Sequence, residues 1–337
     1  MLAYLLKTYA NNGQMVLRFR LLDQDGQPLP AIEDPANPLP ETSKTARYLD
    51  VHPGQQLQVK PTGQRRCVGH SRLQPDGTFL YVPCRTARVI DKSTQCFPCR
   101  RADQSMLIHR TPRERASEAL VKYLDVPHFL YVATFADGTS KVGTSRSLRG
   151  VNRWVEQGAV MAQRLGEYPD GWAVRQAEDA VSGGCALTQQ VRSSRKAASY
   201  VAGTALEVEE LEDVCVDAAR QALQVLDPLG LRGDEADGPG GFLGSPWQNE
   251  VALDYLQEGF LANQQVPQGR VDLKKQGGPW HLQQLVGTTG FLTPGGVGTS
   301  GAEGVASDAG ASVPAEGPVS AADFGALKAI EAELEVQ

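Results

Sequence analysis

Four of the chain's six cysteines, Cys67, Cys84, Cys96 and Cys99, fall within one stretch of 33 residues. Cys96-Phe-Pro-Cys99 is a Cys-x-x-Cys knuckle, in which two thiolates meet one ion while backbone amides satisfy the sulfurs. Zinc then needs two further ligands to complete a tetrahedron. Cys67, in Cys67-Val-Gly-His70, is the expected third. The fourth is either Cys84 or His70, with Cys84 favoured because it makes the site all-thiolate. Four protein ligands leave no open position, so such a site is structural. A disulfide framework is disfavoured in a chain that opens without an export signal. Cys185 and Cys215 sit in or beside helical patterns and read as buried apolar thiols.

A second candidate is a carboxylate. On a helix over residues 172–181, Glu178 shares a face with Val174 and Val181. An acid on the apolar side of a helix needs a partner: a metal, Arg153 or Lys141, or Arg175 one turn back as a plain ion pair. Upstream, His128-Phe-Leu-Tyr-Val-Ala-Thr-Phe135 reads as a strand, running through Asp137-Gly138 into a second, Ser140-Lys-Val-Gly-Thr144. Two registers compete. A three-residue loop with Gly138 left-handed sets Ala133 opposite Lys141 and Tyr131 opposite Gly143, which places Tyr131 and Lys141 on one face. A two-residue turn pairs Thr134 with Lys141 and sends Lys141 to the other face. Arg153-Trp-Val-Glu-Gln-Gly158 follows, with Gly158 as a helix cap.

In that order these residues resemble the GIY-YIG nuclease core. Phe129-Leu130-Tyr131 stands at Gly-Ile-Tyr, and Lys141-Val142-Gly143 at Tyr-Ile-Gly. With Pro83-Cys84, the knuckle and Arg153-Trp-x-x-Gln-Gly-Ala159, the stretch from about residue 55 to 200 is similar to an uncharacterised bacterial family. That family pairs a cysteine-rich zinc module with a GIY-YIG-like core. The resemblance implies phosphodiester hydrolysis with one divalent ion, Mg²⁺ or Mn²⁺, held by Glu178. It implies Tyr131 beside the attacking water, and Arg153 on the phosphate with Arg149 as the alternative. At the second tyrosine position stands Lys141, which can hold a phosphate as a point charge or lower a neighbour's pKa. DNA is the implied partner, with Arg146, Arg149 and Arg175 as further contacts.

Charge distribution agrees. The 337 residues carry a net charge of −6, but residues 60–200 hold 22 Lys+Arg against 12 Asp+Glu, leaving 11 against 27 elsewhere. Positive charge thus lies where phosphate would need neutralising. No run reaches membrane-spanning length, which makes the cytoplasm the default compartment.

The expected fold class is α+β. A β-rich region spans 1–66, with strands near 15–21 and 55–60, and the zinc module spans 67–110. A small GIY-YIG-like α/β core spans 111–228, with helices over 112–124, capped by Thr111, and over 204–226. Residues 229–292 read as a linker and a weakly structured segment. The tail, 293–337, reads as disordered, ending in a short helix over 323–336 that either docks on a protein partner or stays mostly unfolded. The leading functional expectation is a metal-dependent endonuclease acting on DNA. The alternatives are a nucleic-acid binder without catalysis and a scaffold or regulator working through its acidic tail.

Overall fold

A computed structural model describes residues 1–11, 14–31, 46–201, 203–235, 240, 244–256, 267–295 and 318–337. Both ends of the chain contribute to one ten-stranded sheet. Its order is Gly269–Val271, Ser320–Asp323, Thr289–Pro294, Trp280–Val286, Gln56–Arg66, Ile330–Val336, Leu2–Asn11, Gln14–Leu22 and Tyr48–Val51, with Val89–Ile90 beside Gln56–Arg66. Leu5, Leu17, Phe19, Val59, Leu282 and Leu334 pack on one face, each worth about 1.5–3 kcal/mol when fully buried.

The last strand corrects the expected terminal helix. Over 323–336 the structure has a 3₁₀ turn, Phe324–Leu327, and then the strand Ile330–Val336, paired on both sides. The spacing of Phe324, Leu327, Ile330 and Leu334 imitates a helix. Ile330, Ala332, Leu334 and Val336 also alternate with three glutamates, a period of two, and two waiting strand edges decide in its favour. Glu331 is buried and accepts from Arg66 Nε at 2.6 Å and from Thr62 Oγ1 at 2.8 Å. The expected partner-docking helix is therefore absent. The expected disorder of the tail falls mostly on 296–317, outside the described residues.

The cysteine module is fastened to this sheet by two buried side chains. Arg20 donates to the Cys84 carbonyl at 2.7 Å, and the Tyr4 hydroxyl donates to the Cys67 carbonyl at 3.1 Å. Beyond the module, Arg113–Arg115 forms only a 3₁₀ turn. The expected helix starts later, as Glu118–Leu124, because Ala116 is extended and the Ser117 hydroxyl caps Leu120 N–H.

A second, four-stranded antiparallel sheet runs Trp247–Gln248, Met161–Tyr168, His128–Thr134, Ser140–Arg146. Helices Gly171–Gly184 and Val208–Leu226 cover one face, burying Leu130, Val132, Val142 and Leu165 against Val174, Ala177, Val181 and Ala222. Phe129, Tyr131, Trp154 and Trp247 fill the other. The segment read as weakly structured supplies the hairpin Trp280–Val286 and Thr289–Pro294, whose Phe291 stacks on Tyr255 with ring centroids 3.7 Å apart. The fold is mixed α+β. Among the described residues no helix is long and apolar enough to cross a membrane.

Candidate functional site

The turn between the two core strands fixes what can meet. Phe135 N–H donates to the Thr139 carbonyl and Gly138 N–H to that of Phe135, with Gly138 left-handed at φ 75°. This is the three-residue loop. Tyr131 pairs with Gly143 and Ala133 with Lys141, so the phenol and the lysine share a face. A Cβ on Gly143 would lie 2.7 Å from both the Tyr131 Cζ and its hydroxyl oxygen. Any side chain there would push the ring away, and glycine lets it lie flat across the edge strand.

Helix Gly171–Gly184 brings the acid to the same edge. Asp170 caps it, accepting from Trp172 and Ala173 N–H at 2.8 Å each. Val174, Ala177 and Val181 face the sheet, and Glu178 lies at the margin of that face, half-buried. Arg153 comes from the short helix Asn152–Gln157, which stops at the left-handed Gly158.

Tyr131, Lys141, Arg153 and Glu178 all line one cleft of about 720 Å³, together with Arg146, Arg149 and Arg175. Five cations thus surround a single carboxylate. Burial pushes Glu178 up to about 7, against the pull of Lys141 and Arg153. Burial brings Lys141 down to about 8, and it pushes the Tyr131 phenol up while the nearby Arg153 guanidinium pulls the other way. The Tyr131 hydroxyl is fully buried close to the Arg153 guanidinium and makes no well-aligned hydrogen bond.

The cations are not equivalent. Arg149 is paired with Glu156. Arg175 donates Nε to the Gly171 carbonyl at 2.9 Å, not to Glu178, and its Nη2 is buried without a partner. Arg146 lies over the Tyr123 ring, 5.0 Å from its centroid. Lys141 Nζ sits 5.8 Å from the Tyr131 centroid and reaches only the Gln189 carbonyl, at 3.4 Å. Sequence reasoning missed the opposite walls of the cleft, Met106–His109 and 189–191. Their contributions depend on the path of the chain, and no local pattern marks them.

The cysteine cluster is a different kind of site. The sulfurs of Cys67, Cys84, Cys96 and Cys99 all lie within 4.8 Å of one another and are buried. Cys67 Sγ accepts from the Cys96 and Gly69 amides at 3.1 and 3.4 Å. Burial raises the Cys99 thiol to about 12, and the Cys67 thiol rises through its hydrogen bond with Cys84 and its burial. Four thiolates this close can ionise together only around a cation, so the geometry fits a metal ion with all four as ligands. His70 is outside the set and lines a separate cavity of about 560 Å³. Cys215 is a buried thiol in the helical core, and Cys185 donates its S–H to the Val181 carbonyl.

No curated protein and no solved structure matches the chain. A family model described as "Protein of unknown function (DUF2797)" matches residues 54–228, a span holding both the cysteine cluster and the cleft-forming core. That span is more than half of the 337 residues, and the chain belongs to this family.

Proposed function

We propose that the cleft hydrolyses phosphodiesters of DNA with one divalent metal ion, and that the cysteine cluster is a structural zinc site. One observation carries the reading: the Glu178 carboxyl, with no hydrogen-bond or ion-pair partner among the described residues, and the Tyr131 phenol beside the Arg153 guanidinium line a cleft whose other charged groups are cations. Unsatisfied groups of that kind cost stability, and a substrate would repay the cost.

Glu178 would hold the ion as its single protein ligand, because no other acid lines the cleft. Mg²⁺ and Mn²⁺ accept such sites, and the ion would supply charge neutralisation at the phosphate. Arg153 offers a planar fork to the phosphate oxygens, and Lys141 a compact charge beside them. The Tyr131 hydroxyl, next to Arg153 at the cleft wall, would help to orient the attacking water in line. Arg146, Arg149 and Arg175 extend positive charge along the backbone path on both sides.

A second reading, nucleic-acid binding without cleavage, draws support from Lys141 itself. A lysine standing where the resemblance calls for a phenol can grip phosphate but replaces a phenolate only when deprotonated. Nicking of supercoiled plasmid in Mn²⁺ separates the two. Wild type converts plasmid to open circles, and Glu178→Ala loses the activity by at least about 100-fold, the scale of removing one charge-stabilising group. Equal nicking by both proteins would remove Glu178 from the chemistry.

A further inference from the structure

An exposed aromatic sits inside the cysteine knuckle, outside the cleft. Phe97 lies between Cys96 and Cys99, and it is 61% exposed although both flanking cysteines are buried. The guanidinium carbons of Arg100 and Arg101 lie 5.9 and 5.7 Å from its ring centroid. Arg85, Arg88 and Lys92, all exposed, belong to the same module, and Asp91 is the one acid in residues 85–101. Among the described residues no ion pair engages any of these five cations.

One exposed aromatic is ordinary by itself, but this ring stands among cations. A ring set among unpaired guanidiniums suits a ligand with a flat π-face and a negatively charged backbone. The position is also fixed: Phe97 opens the helix Phe97–Ala102, whose Cys96 and Cys99 converge on the cluster. From Ala102 the chain needs only four residues, at most about 14 Å, to reach Met106 on the cleft wall.

We infer that the knuckle is a second nucleic-acid contact, in which Phe97 stacks on an unpaired base while Arg100 and Arg101 neutralise the adjoining phosphates. The inference rests on the nucleic-acid reading of the cleft and narrows its substrate to DNA with a single-stranded stretch beside the cut. Duplex DNA keeps its base faces covered and offers this ring nothing to stack on.

The test compares full-length wild type, Phe97→Ala, Phe97→Trp and Arg101→Ala by fluorescence anisotropy, using a labelled single-stranded oligonucleotide and the matching duplex across a salt series. Metal content and thermal melting of each variant report whether the knuckle is intact. Phe97→Ala should weaken single-strand binding roughly 5- to 100-fold without changing the salt slope, and Phe97→Trp should restore it. Arg101→Ala should reduce the slope by about 0.7. Duplex affinity should change little with Phe97→Ala. Unchanged single-strand affinity in Phe97→Ala, an equal loss for both substrates, or no single-strand binding by wild type would overturn the inference. Phe97-dependent binding without any plasmid nicking would sink hydrolysis and leave the knuckle contact standing.

Discussion

The cysteine cluster and the Glu178 cleft both gather ionisable groups, and they treat them in opposite ways. In the cluster four sulfurs converge within 4.8 Å and two backbone amides complete the shell of Cys67. Four sulfurs this close fit a single cation, which would make the cluster a brace. In the cleft a buried phenol makes no well-aligned hydrogen bond, and the carboxyl is held up near 7 by burial with no direct partner among the described residues. Groups that satisfy one another stabilise a fold, whereas groups left waiting cost it stability and mark where chemistry is done. Substitutions in the two places should therefore differ in size, and at Glu178 in sign.

The largest effect belongs to the cluster. Cys96→Ser should abolish binding of about one zinc per chain and remove on the order of 10 kcal/mol of metal-derived folding free energy. The Arg20 and Tyr4 anchors on the Cys84 and Cys67 carbonyls would be lost with it. Metal analysis and chemical denaturation report this, and a metal-free protein of undiminished stability would break the comparison at once. Next comes another satisfied pair. Glu331→Ala strands Arg66 in the interior and should cost about 3–5 kcal/mol by denaturant titration, because the C-terminal strand sits mid-sheet. A neutral result would mean the tail is dispensable.

The cleft should behave in reverse. The Glu178 carboxyl titrates higher in the folded chain than its ordinary value of 4.5, so the folded state holds its proton more tightly. The stability that Glu178 contributes is then fully present below about 4.5 and is lost as pH rises through about 7. The loss is on the order of 1–2 kcal/mol once partial exposure is discounted. Melting curves taken without added Mg²⁺ or Mn²⁺, with the cysteine site left loaded, should show the decline from about pH 5 to 8 as the difference between wild type and Glu178→Gln, and Mn²⁺ should reverse it in wild type alone. Smallest of all, Tyr131→Phe removes a buried hydroxyl that makes no well-aligned hydrogen bond and should lower stability by less than about 1 kcal/mol while lowering plasmid cleavage. A larger loss of stability in Tyr131→Phe would show that the hydroxyl has a structural partner.

The satisfied and the waiting groups were not equally legible in the sequence. The knuckle announces itself through Cys96-x-x-Cys99, and the position of Glu178 on an apolar face follows from helical spacing alone, since both signals are local. The register of the hairpin was narrowed to two by Asp137-Gly138, but the choice depends on Gly138 adopting φ 75°. The C-terminal strand is hard to read from sequence because its partners, Leu2–Asn11 and Gln56–Arg66, lie hundreds of residues away. Only the alternation of Ile330, Ala332, Leu334 and Val336 pointed to it, and a competing period of three to four hid that signal. The cleft walls at Met106–His109 and 189–191 carry no pattern of their own, and only the folded chain sets them beside Lys141 and Glu178.

Whether the waiting groups exist for catalysis is decided by measuring affinity and turnover on the same DNA with Glu178→Gln. A variant that binds as tightly as wild type, or more tightly, yet cleaves at least about 100-fold more slowly is the predicted result. Cleavage at the wild-type rate, or a fall in turnover matched step for step by a fall in binding, would contradict it.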